Sequence, residues 1–136
     1  YRFNPTLGCY EWRATGPFMS TPDRALAESS VMRTPDGWLV AGRDTALDGR
    51  TVWWRASDPL TPLALAGISP ADAGPRESPR VVYASADGQL RMFGNEKPFR
   101  TPGRNPLYMW EVDPASFQLR NRRVDRALQR PRGHRR

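Results

Sequence analysis

Two charged side chains have the types needed to form a site for an acidic group: Glu28 and Arg43. Arginine is planar and permanently charged, so it binds carboxylates through paired hydrogen bonds, and a glutamate can serve as a general base. Glu28 and Arg43 lie on either side of the pair Asp36-Gly37, which predicts a hairpin turn that returns both side chains to the same end. We expect an ion pair or a shared site there. The alternative is a surface contact worth under about 1 kcal/mol.

Two aromatic side chains are further candidates. Trp38 directly follows the Asp-Gly turn, where its indole can stack on a sugar ring. Tyr108 lies in an aromatic run, and because a phenol has a pKa of about 10 it would need an adjacent carboxylate base to act as a nucleophile. Both have a structural alternative, since aromatic side chains on strands also pack in cores.

Several kinds of chemistry are excluded by composition. The chain has one cysteine, Cys9, and one histidine, His134. A disulfide framework, a multi-cysteine zinc site and a histidine-based triad are therefore not expected. No glycine-rich phosphate-binding pattern is present, and we predict neither a metal nor a cofactor.

The net charge of +7 is confined to one end of the chain. Residues 120–136 carry the whole excess of positive charge, and residues 1–119 contain equal numbers of basic and acidic side chains. We predict that residues 125–136 form a disordered basic tail, and we expect no nucleic-acid partner for the body. The alternative is a basic arm that neutralises phosphates.

Two segments, 30–59 and 80–114, share one pattern. In each, an Asp-Gly pair separates two β-rich runs, and a third run ends in Asp-Pro; residues 117–124 could add a fourth strand. Antiparallel units of three or four strands that recur at this spacing predict β-propeller blades, although a β-sandwich also spaces short strands with turns.

We therefore predict an all-β chain of about two blades, with a blade end at 1–27 and blades at 28–62 and 76–124. A closed propeller needs at least about four blades, so a five- or six-bladed ring would require further blades or other copies. The longest apolar stretch, 63–68, is far shorter than the ~20 residues of a membrane helix, and no membrane partner is expected.

The segment ESSVMRTPDGWLVAGR at 28–43 resembles the sialidase superfamily, in which a glutamate opens a strand before an Asp-Gly hairpin. The segment SPRVVYASADGQL at 78–90 looks like the next blade of such enzymes. The resemblance implies that Glu28 activates a tyrosine nucleophile, for which Tyr108 is the candidate, and that Arg43 and Arg80 bind the carboxylate of an acidic sugar. Arg43 stands one residue earlier than in the family pattern, and a one-residue step turns a strand side chain to the opposite face.

The function implied is hydrolysis of the terminal glycosidic bonds of acidic sugars, with a glycan as substrate and Trp38 as a further contact. The same resemblance points to a secreted or periplasmic protein. Two alternatives stay open. One is a furanosidase-type five-bladed glycosidase, whose Ser-Asp-x-Leu-Thr-Pro motif is also present at residues 57–62. The other is a non-catalytic carbohydrate-binding propeller, in which Glu28 and Arg43 form only a surface pair.

Overall fold

The computed structural model describes residues 1–16, 25–47, 49–70, 80–95 and 106–124. This part of the chain is all-β and contains no α-helix, which confirms the predicted fold class. It forms one two-stranded sheet and two four-stranded sheets, all antiparallel. The strands are β1 (Arg2–Asn4), β2 (Cys9–Glu11), β3 (Leu26–Thr34), β4 (Gly37–Asp44), β5 (Arg50–Ala56), β6 (Ala64–Ile68), β7 (Val81–Ala84), β8 (Leu90–Gly94), β9 (Tyr108–Val112) and β10 (Leu119–Val124), with a short 3-10 helix at Thr45–Leu47.

The first four-stranded sheet has the order β3-β4-β5-β6 and is built around the first Asp-Gly hairpin. Thr34 pairs with Gly37 across the turn, and Gly37 has a φ of 123° that other residues rarely adopt. A Cβ at Gly37 would also lie 2.5 Å from the carbonyl oxygen of Ala56. Glycine is therefore required here, and the turn fixes the register of β3 against β4.

The second four-stranded sheet has the order β10-β9-β8-β7 and is built around the second Asp-Gly pair. Gly88 has a φ of 78° in the turn between β7 and β8. Asp87 braces that turn by accepting hydrogen bonds from Arg91 and Ser85. The fourth strand expected from residues 117–124 is present as β10, which pairs with β9.

The two four-stranded sheets pack face to face over the main core. The first sheet contributes Met32, Leu39 and Trp53, and the second contributes Met92 and Trp110, all nearly inaccessible to solvent. The first strands of the two sheets, β3 and β7, lie side by side. This arrangement is consistent with neighbouring propeller blades, because each blade buries its faces against the next one.

The first sheet is also covered on its other face, where Val40, Val52 and Trp54 form a second cluster. The consecutive apolar residues of its central strands β4 and β5 are thereby explained, since both faces of these strands are buried, whereas Val31 and Leu65 on the outer strands are exposed. Its fourth strand, β6, lies beyond residue 62, where the sequence pattern had ended the first blade. The prediction for 125–136 falls outside the described residues. Among the described residues, no helix has the length and apolar character needed to cross a membrane.

Candidate functional site

Glu28 occupies a β-bulge at the start of the first hairpin. Ala27 pairs with Arg43 and Ser29 pairs with Gly42, so Glu28 is an extra residue in β3 with no partner in β4. Its φ of 43° lies in the left-handed region, which is uncommon for a residue other than glycine. Bulges and strained backbones of this kind are frequent beside functional sites, where they redirect a side chain.

The bulge brings the carboxylate of Glu28 to the guanidinium of Arg43. Oε2 of Glu28 lies 2.6 Å from Nη2 of Arg43, so the predicted ion pair is present. In a regular ladder the two side chains would lie on opposite faces, because neighbouring residues alternate. The inserted residue turns the Glu28 side chain toward Arg43 and allows the pair to form.

Arg80 reaches the same end of the sheet from the neighbouring blade. It directly precedes β7 and is only 3% exposed. Its guanidinium donates hydrogen bonds to Oγ1 of Thr51, at 2.5 Å, and to the carbonyl oxygen of Gly49, at 2.7 Å. Thr51 is the register partner of Arg43, so Arg80 crosses the junction between the sheets and lies beside the Glu28–Arg43 pair.

The electrostatics of this cluster are dominated by its two arginines. Burial, and next the neighbouring positive charge of Arg43, lower the pKa of Arg80 to about 10, with a partly offsetting effect from Glu28. The Nε atoms of Arg43 and Arg80 are both buried without a hydrogen-bond partner. Among the described residues of this cluster, the carboxylate of Glu28 faces two guanidinium groups, and the two buried Nε donors have no partner. Such a site favours an additional anion.

Trp38 lies at the opposite end of the hairpin from this cluster. Arg43 and Trp38 are five residues apart on β4, which corresponds to about 17 Å along a strand. The indole cannot contact a sugar ring whose carboxylate is held by Arg43. The structure therefore separates Trp38 from the other candidate residues.

Tyr108 is also not brought beside Glu28. It is 9% exposed on β9, the third strand of its sheet, and packs in the main core. Its ring lies 5.7 Å from that of Trp110 and 5.1 Å from the guanidinium carbon of Arg122. No tyrosine among the described residues hydrogen-bonds to Glu28, so this part of the chain does not assemble the expected base and nucleophile.

Two features of the site were not predicted from the sequence: the role of Thr51 in holding Arg80 and the bulge itself. Thr51 stands two residues before Trp53, so the two side chains lie on the same face of β5. This two-residue spacing is visible in the sequence. No sequence signal marks the bulge. Within the described residues, no group of three or more histidine, cysteine, aspartate or glutamate side chains could hold a metal ion.

Comparison with known proteins gives no family assignment. No protein-family model, curated protein or solved structure matches the chain.

Proposed function

We propose that this chain is part of a sialidase-like glycoside hydrolase propeller and that Arg43 and Arg80 bind the carboxylate of a terminal acidic sugar. The observation that carries the proposal is the pair of buried, unbonded Nε atoms beside Glu28. A carboxylate is the kind of ligand that two neighbouring guanidinium groups bind through charge-assisted hydrogen bonds.

The balance of charge supports the same proposal. Glu28, Arg43 and Arg80 together carry a net charge of +1, and Asp44, the next residue along β4, is directed to the opposite face. The lowered pKa of Arg80 reflects burial first and repulsion by Arg43 second. A bound carboxylate would relieve that repulsion, so binding energy is available to an anion and not to a neutral sugar.

In the catalytic form of this proposal, Glu28 is the base that activates a tyrosine. That mechanism requires a phenol within hydrogen-bond reach of the carboxylate. Because Tyr108 packs in the core, the nucleophile would have to come from a further blade or a second copy. The part assigned to this chain is therefore recognition of the acidic sugar.

A second candidate function is non-catalytic binding of acidic glycans. It is favoured by the direct ion pair between Glu28 and Arg43, in which the carboxylate of Glu28 is already occupied. Both candidates predict carboxylate binding, and they differ in whether Glu28 is needed for turnover.

The test is titration of the chain with methyl α-sialoside, using methyl β-galactoside as the neutral comparison. Arg43→Gln should weaken sialoside binding at least about tenfold, since hydrogen bonds to charged groups contribute about 1.5–3 kcal/mol. Arg33→Gln is the matched control, because Arg33 is an exposed arginine at the other end of the same hairpin. Equal effects of both variants on sialoside binding, or an equal loss of galactoside binding in Arg43→Gln, would contradict the proposal.

A further inference from the structure

A cavity of about 370 Å³ lies at the opposite end of the junction between the two sheets, away from Arg43 and Arg80. Both Asp-Gly turns border it. Its apolar wall includes Trp38, Leu39, Leu90 and Pro114, of which Leu39 and Leu90 are nearly fully buried. This size is within the range of small-molecule sites, which are largely apolar with a few polar groups.

The polar groups at this cavity are balanced in charge. Asp36 and Arg55 both line it. Arg55 is fixed in place because its Nη2 donates to the carbonyl oxygen of Pro114 at 2.5 Å and its guanidinium lies over the ring of Phe117. Among the described residues, the carboxylate of Asp36 makes no hydrogen bond or ion pair and is available to accept one from a ligand.

A second, more polar cleft of about 550 Å³ begins on the other side of Trp38. It shares Trp38 and Asp36 with the first cavity and adds Arg33, Ser57 and Asp58. An aromatic platform next to groups that donate and accept hydrogen bonds suits a ligand with one apolar face and a polar rim. The positive charges of Arg33 and Arg55 balance the negative charges of Asp36 and Asp58, so the combined surface favours a neutral molecule.

We propose that Trp38 and the cavity beside it form a binding site for one ring of a neutral saccharide. The C–H face of the ring stacks on the indole, and its hydroxyl groups donate to Asp36 and accept from Arg55. This site is separate from the carboxylate site and lies about 17 Å from it along β4.

The site can be tested by adding methyl glucoside, galactoside and mannoside to the full chain while recording amide and indole NMR signals. At least one glycoside should shift the Trp38 indole signal, assigned through Trp38→Phe, with a dissociation constant of order 1 mM. Trp38→Ala should weaken that binding about tenfold. Trp12→Ala is the control and should not change it, because Trp12 is 63% exposed and does not line the cavity.

Asp36→Asn provides a variant that keeps the fold, since Asn-Gly forms the same hairpin turn. It should weaken glycoside binding about threefold to tenfold, as expected for one hydrogen bond. The proposal is overturned if no glycoside shifts the Trp38 signal at about 20 mM, where a 1 mM site is nearly saturated. Binding of indole or of methyl α-sialoside at this cavity in preference to every neutral glycoside would overturn it as well.

The two sites can be told apart in the same experiment. Arg43→Gln should leave neutral glycoside binding unchanged, and Trp38→Ala should leave sialoside binding unchanged. If the unaltered chain fails to bind the sialoside, only the carboxylate site is wrong, and if it fails to bind every neutral glycoside, only the Trp38 site is wrong.

Discussion

Gly67 and Phe117 meet where the two four-stranded sheets join, and Gly67→Ala tests that contact. A Cβ at Gly67 would lie 2.7 Å from Cδ2 and 3.1 Å from Cε2 of Phe117. Carbon atoms in contact normally lie about 3.5–4.0 Å apart, so the ring would have to move by about 1 Å. Phe117 is 3% exposed and stacks on Trp53, with 4.9 Å between the ring centroids, which leaves it little space to move.

The expected cost follows from these contacts. Overpacking a core typically costs about 1–3 kcal/mol, and disturbing an aromatic pair costs up to about 1.5 kcal/mol. Replacing glycine by alanine returns about 0.4–1 kcal/mol by restricting the unfolded chain. We therefore expect the free energy of unfolding of Gly67→Ala to fall by about 1–3 kcal/mol.

The assay is urea unfolding followed by tryptophan fluorescence, carried out in the native chain and in a Phe117→Ala background. In the second background the added methyl group meets no ring, so Gly67→Ala should be close to neutral or slightly stabilising. Equal destabilisation in both backgrounds would refute the contact, because the double-mutant cycle would then show no coupling between the positions. Stabilisation by Gly67→Ala in the native chain would refute it too.

Three further predictions concern the hairpins and the site. Ser30→Ala should lower the free energy of unfolding by about 1–2 kcal/mol in the same urea assay, because its hydroxyl donates to the carbonyl of Arg80 and accepts from a β7 amide; the exposed neighbour variant Ser29→Ala should have little effect. A hydrogen bond from Arg91 holds the pKa of Asp87 well below its usual 3.8, so this carboxylate stabilises the fold above pH 3.8 and loses that contribution as the pH falls further. Asp87→Asn should therefore flatten the acid limb of a stability–pH curve, and an unchanged limb would contradict the assignment. The chain alone should release no fluorophore from a fluorogenic α-sialoside, and turnover abolished by Glu28→Gln would show that the site is complete after all.

The hairpins could be predicted from the sequence because their determinants are local. Gly37 and Gly88 supply the positive φ that each turn requires, and β-rich runs flank both. The first turn alone was enough to predict that Glu28 and Arg43 lie at the same end of their hairpin. The contact itself did not, since it depends on a bulge with no sequence marker.

The positions of the aromatic candidates could not be predicted in the same way. Trp38 was grouped with the arginines because it lies on the same hairpin, although strand geometry sets it about 17 Å away. Tyr108 was a candidate by its distance along the chain, and its side chain is directed into the packed face shared with Trp110. Distance along the chain does not show which face of a sheet a side chain occupies.

The sequence by itself determined the strand pattern, the two Asp-Gly turns and the neutral charge of the body, because each depends on neighbouring residues or on composition. Only the tertiary structure decided that Arg80 crosses from one sheet to Thr51 of the other and that a cavity opens beside Trp38. Both arise where two sheets separated by many residues pack against each other. Their side chains meet through register and face, which long-range packing fixes and local sequence does not.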